Sequence, residues 1–216
     1  MADPRLSPCY TPADAARIVD LPVSTVRRWL APGHQGPVVR GTEATELASF
    51  LDLVELYMVA GLRRHVSPRV LRRAVRDAAA RLGVDHPLAR HAYLRDGGCL
   101  FLEQEGTILH LGYSGQLAFP KIIRPRAETI VFADDGLAAR WYPLGAEKFV
   151  VINPSIQGGV PTVDGTRIDT RTLAEAVEAE GSVAKVAQIY CIDVVKVQMA
   201  CAWNDRLHGL KLRQAA

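Results

Sequence analysis

The 216-residue sequence predicts an α+β fold with helical ends and a small antiparallel β middle, and three observations carry that prediction. Before residue 92 and after residue 150, side chains of cap type are followed by apolar positions at three- and four-residue spacing, the signature of helices. Between them, short apolar runs flank Glu105-Gly106 and Asp134-Asp135-Gly136, both hairpin signals. Charge divides along the same lines. Residues 1–95 hold 14 Lys and Arg against 9 Asp and Glu, residues 96–149 hold 5 against 7, and residues 150–216 hold 7 against 7. The expected organisation is therefore three regions, 1–92, 93–149 and 150–216, with the positive charge gathered in the first.

The first region opens with helix, tight turn, helix. Thr11 can cap a helix with Pro12 at its first position, and Ala15, Ala16 and Val19 fall on one buried face. Asp20-Leu21-Pro22 breaks it. Ser24 is expected to cap a second helix in which Val26, Trp29 and Leu30 share the inner side, leaving Thr25, Arg27 and Arg28 on the open side. Such a second helix can lie in the DNA major groove, its N-terminal residues facing base edges and phosphates.

The pattern Tyr10-Thr11 to Ala15-Ala16, then Val23-Ser24 to Val26-Arg27-Arg28-Trp29, resembles the winged helix-turn-helix of MerR-type regulators. The resemblance covers about the first third of the chain. It implies DNA contact through Ser24, Thr25, Arg27 and Arg28, and a wing at residues 31–40, where His34 and Arg40 would touch the backbone beside the groove. The alternative for residues 31–40 is a plain connecting loop.

From Thr45 to Ala60 the apolar positions Leu47, Phe50, Leu51, Val54, Tyr57 and Met58 predict an amphipathic helix. Ser67-Pro68 then starts another, which runs to about Leu82 and stops at Gly83. Arg63 and Arg64 precede it, and Arg69, Arg72, Arg73 and Arg76 lie along it. These side chains are either a solvated face or, beside a groove-reading helix, grips on phosphate. Here the chain departs from MerR-type proteins. No long dimerising helix follows; Leu100-Phe101-Leu102, residues 107–111, residues 116–119, Ile130-Val131-Phe132 and residues 137–142 read as strands.

In the last region the turn formers Gly158-Gly159 and Asp164-Gly165 are expected to place Ile152, Val163 and Ile168 on a small sheet. Three helices should follow: Thr170 to Glu180 ending at Gly181, Val183 to Tyr190 capped by Ser182, and Val194 to about Leu207 capped by Asp193. Residues 208–216 read as a mobile tail. The motif Pro-x-Ile-x-Gly-Gly-x-Pro at 154–161, then Gly-Thr-Arg-Ile at 165–168 and three helices, resembles a small bacterial domain family of formerly unknown function that includes VapB-type antitoxins. These are typically encoded beside PIN-like toxins. The neutral helices with Val194, Val195, Val197, Met199 and Trp203 suit burial in a homodimer.

The resemblances together imply an antitoxin of a type II toxin-antitoxin system. It would bind double-stranded operator DNA as an autorepressor through Ser24, Thr25, Arg27, Arg28, His34, Arg40, Arg63 and Arg64. It would also neutralise a PIN-like ribonuclease toxin through the basic stretch 121–126, in which Lys121, Arg124 and Arg126 would face the toxin's carboxylates. A basic loop between strands is the alternative for that stretch. For the whole chain, the alternatives are a MerR-like regulator with no toxin partner and a structural adaptor.

Catalysis is not expected. No nucleophile elbow, His-x-x-x-His pair or Gly-Lys-Thr phosphate loop occurs, and Asp134-Asp135 sits in a turn. Cys9, Cys99, Cys191 and Cys201 lack the spacing of a metal site or disulfide framework, so reduced, mostly buried thiols, no metal and no cofactor are expected. No apolar run approaches the roughly 20 residues of a membrane span, and the start lacks a signal-peptide core, so a cytoplasmic chain is expected.

Overall fold

The computed structural model describes residues 3–31, 45–90, 124–145 and 149–215. The chain is α+β, with two small antiparallel sheets among the described residues. It divides into two compact units, residues 1–139 and 140–216. Much of the region expected at 93–149, including the strands proposed at 100–119, lies outside the described residues, as does the proposed wing.

In the first unit, α1 (Pro12–Val19) begins as its sequence dictates: the Thr11 hydroxyl accepts the Asp14 N–H at 3.1 Å, and Asp20, at φ 57°, ends the helix in the left-handed region. Helix α2 (Val23–Leu30) departs from expectation at its start. Pro22 is its cap residue and no side chain bonds its free N–H groups, so Ser24 lies inside the helix instead of capping it. Pro22 pre-sets the backbone there, and the turn needs no serine.

Helix α3 (Phe50–Leu62) begins later than the apolar spacing predicts. The reason is a capping box: Ser49 Oγ accepts from Asp52 N at 3.1 Å and Asp52 Oδ2 from Ser49 N at 2.8 Å, which fixes the first turn at Phe50. Nor is the helix amphipathic. Every residue from Phe50 to Leu62 except Tyr57 is buried, because α1, α2 and the short turns at Pro4–Leu6 and Pro87–Ala89 all pack around it. Helix α4 (Pro68–Leu82) runs as expected, capped by Ser67 and closed by left-handed Gly83.

Strands β1 (Ile130–Phe132) and β2 (Ala138–Trp141) form the hairpin that Asp134-Asp135-Gly136 announces. Arg5 clasps its turn, with Nη1 3.0 Å from Asp135 Oδ1 and Nη2 2.6 Å from Oδ2. That guanidinium, with the Leu137 N–H, lowers the Asp135 carboxyl to about 2.

In the second unit, β3 (Val150–Val151) pairs antiparallel with β4 (Thr162–Val163), Val150 opposite Val163 and Val151 opposite Thr162. Ile152 bridges Trp141, while Ile168 accepts the Val163 N–H at 3.0 Å. Helices α5 (Thr170–Glu180), α6 (Val183–Tyr190) and α7 (Val194–Ala215) pack on one another. Their caps are those expected: left-handed Gly181 after α5, Ser182 accepting from Lys185 N at 3.3 Å, and Asp193 accepting from Val195 N at 2.7 Å. Val163, Leu173, Val186, Ala187, Val197 and Ala200 make the core.

Two further expectations fail, the first in this unit and the second in both. The tail predicted from residue 208 is helical through Ala215, since Gly209 alone costs a helix only about 1 kcal/mol and stops it only in a left-handed cap. The thiols are also less buried than expected: Cys9 and Cys191 are exposed and Cys201 is half-buried.

Candidate nucleic-acid interface

Helices α1 and α2 pack against each other and both touch α3. The second helix therefore has two neighbours to satisfy, and it turns Thr25, Val26, Trp29 and Leu30 inward over an arc of about 140°. Ser24, Arg27 and Arg28 remain on the outer side and are exposed. Thr25, expected among the DNA-facing residues, is instead 8 % exposed and belongs to the core. On α1 the outer side carries Asp14 paired with Arg17, an (i, i+3) contact that neutralises the one arginine of that helix.

The remaining cations lie where α3 hands over to α4. Arg63 is half-buried as the last-turn residue after α3, and Arg64 is exposed. Along α4, Arg69, Arg73 and Arg76 are exposed and Arg72 is half-buried. The unit thus presents guanidinium groups on α2, at the α3–α4 turn and along α4. His34 and Arg40 lie outside the described residues.

The basic stretch assigned to toxin contact is divided by the structure. Lys121 is outside the described residues. Arg124 is exposed at the start of a helical turn at 124–127. Arg126 is not available as expected: its Nη1 donates to the Tyr57 carbonyl at 2.7 Å, and its guanidinium lies 4.3 Å from the centroid of the Tyr57 ring. Gly61 makes the space, since a Cβ there would run into the Arg126 side chain. Burial in this notch lowers the guanidinium below its ordinary value.

The structure also brings together Asp52, Glu55 and His86, none of which was singled out from the sequence. The signal was present. Two carboxylates three residues apart in a helix that is otherwise almost wholly apolar must share a face inside the core.

Residues 150–203, which hold β3, β4, α5, α6 and the first half of α7, match the family described as Protein of unknown function (DUF433). The chain resembles VapB-type antitoxins over most of its length. It is 27% identical over 210 residues, 85% of this chain and 88% of the other, to a Mycobacterium tuberculosis protein named "Putative antitoxin VapB45". It is also 28% identical over 233 residues, 94% of this chain and 92% of the other, to Uncharacterized protein Rv2308 of the same organism. The fold is that of the crystal structure of Rv2018 from Mycobacterium tuberculosis, with a TM-score of 0.72, 24% identity, and coverage of 90% of this chain and 97% of that one. Among the described residues no helix is long and apolar enough to cross a membrane.

Proposed function

We propose that this chain is a non-catalytic, DNA-binding antitoxin: α1 and α2 act as a helix-turn-helix that reads operator DNA, and a second surface engages a PIN-like toxin. The observation that carries the DNA reading is the stripe of Ser24, Arg27 and Arg28, exposed on a helix whose opposite side is sealed into the core. Such a helix is rigidly held and cationic where a groove would meet it. The exposed arginines at 64, 69, 73 and 76 add phosphate grips that raise affinity without choosing sequence.

The toxin half of the proposal is supported by the likeness to "Putative antitoxin VapB45" and by Arg124. An exposed guanidinium can pair with clustered carboxylates and displace the metal ion they hold. Arg126 would first have to leave Tyr57, so Arg124 is the leading member of the pair. Dimerisation is assigned to residues 150–216, whose charges balance and where Ile189, Val194 and Val195 are 56%, 41% and 44% exposed at the junction of α6 and α7. A dimer would read half-sites about one helical turn apart.

The test is coexpression of the chain with the small protein encoded beside it. Copurification, with nuclease activity suppressed by the wild type and regained with Arg124→Ala, supports the antitoxin role. Independent purification of the two, or equal suppression by wild type and Arg124→Ala, contradicts it.

A further inference from the structure

The core of the first unit contains an ionisable cluster that the proposed function does not use. Glu55, on α3, is 0% exposed, and its Oε1 accepts the Leu88 N–H at 3.1 Å. His86, 8% exposed and held in the left-handed region at φ 53°, places Nδ1 at 3.5 Å from Glu55 Oε2 and 3.9 Å from Asp52 Oδ1. Asp52 is buried one turn earlier on the same face of α3, where it also closes the capping box. A carboxylate removed from water costs several kcal/mol unless it is paired and hydrogen-bonded. For Glu55 the Leu88 N–H and the His86 imidazole supply that compensation, and the imidazole does so most fully when protonated.

His86 lies between α4 and the turn at Pro87–Ala89, and that turn packs on both α3 and α4. We propose that Asp52, Glu55 and His86 form a proton-loaded pin, a pH-sensitive device that sets how firmly the end of the arginine-bearing helix α4 is held against α3. With the proton in place, the imidazolium bridges the α3 carboxylates to the segment that follows α4. Without it, Glu55 and Asp52 face each other across a neutral ring, and the turn loses its electrostatic hold.

The charges acting on the ring are Glu55 and Asp52 from α3 and Asp85 from its own segment. From the N-terminal segment, the Cys9 thiol feels Asp52, and the phenol of Tyr10 lies beside Cys9. Helix α4 itself carries Arg69, Arg72, Arg73 and Arg76. Burial opposes charging the imidazole, but Glu55 and Asp52 outweigh it and raise His86 above its ordinary value; burial raises Glu55 as well. Both shifts have the same sign of linkage. The folded chain holds a proton that the unfolded chain gives up, so stability is greatest below the ordinary imidazole range and falls as pH rises through the folded-state titration.

The experiment uses the full chain without DNA, so its outcome is independent of what α4 touches. The His86 ring is titrated by NMR, and amide exchange of residues 76–90, corrected for intrinsic rates, is compared at about pH 6 and about pH 8.5. The expected result is a His86 titration above about 6.5 and protection lower by roughly tenfold at the higher pH. In Glu55→Gln, whose amide oxygen still accepts the Leu88 N–H, protection should change less with pH, since only Asp52 then remains to attract the imidazolium. A wild-type His86 that titrates at or below the ordinary value, or wild-type protection equal at the two pH values, overturns the proposal even if Glu55→Gln does not fold.

Discussion

Thr25 and Arg27 are two residues apart on an eight-residue helix and have opposite fates. The arginines at 27 and 28 were legible because they stand across the helix from Val26, Trp29 and Leu30. Thr25 was not, because the width of the buried arc depends on how many neighbours α2 has, and one of them, α3, is distant in sequence. Thr25→Ala should therefore lower stability by about 1 kcal/mol while leaving DNA affinity within about twofold, read by thermal unfolding and by anisotropy on the same sample. A large loss of affinity without a loss of stability would return Thr25 to the groove. Gly61 offers a second residue-scale test. Gly61→Ala should cost about 1–3 kcal/mol because the Arg126 side chain must be displaced, whereas in the Arg126→Ala background it should cost much less. Equal costs in both backgrounds would mean the notch is not the reason for the glycine.

At the level of elements, the boundaries that were legible are those written in cap residues: Thr11 before α1, Ser67 and Gly83 around α4, and Gly181, Ser182 and Asp193 between α5, α6 and α7. The hairpin turn at Asp134-Asp135-Gly136 was equally legible, whereas the starts of α2 and α3 and the end of α7 were not. The start of α3 is set by a reciprocal Ser49–Asp52 pair inside an apolar run that spacing alone extends to Thr45. The end of α7 was placed too early because nothing in 208–215 compels a helix and nothing forbids one. Thr11→Ala and Ser67→Ala should each cost about 1 kcal/mol, while Ser49→Ala should cost more. Ser49 is buried, and its loss leaves the buried Asp52 N–H without the hydroxyl that accepts it. Urea denaturation of the three variants checks the order, and a Ser49→Ala cost no larger than the others would contradict the added cost of a buried cap.

For the whole molecule, the charge distribution in the sequence anticipated the division of labour now proposed: guanidinium groups on the first unit, a neutral apolar junction on the second. Light scattering should report a dimer, and Val194→Asp or Val195→Asp should shift it to monomer without unfolding, since both side chains are exposed. A dimer unaffected by either change would move the interface elsewhere. The central claim is that α2 reads operator DNA, and the most direct measurement is the affinity of the full chain for its own upstream DNA. It is measured against scrambled DNA of equal length at two salt concentrations, for wild type, Arg27→Ala and Arg28→Ala. Wild type should prefer its own sequence, and each substitution should weaken that binding by about 1–3 kcal/mol, roughly 5- to 150-fold, with raised salt weakening all three. Equal affinity of the wild type for both DNAs, or binding indifferent to both arginines, would contradict the account.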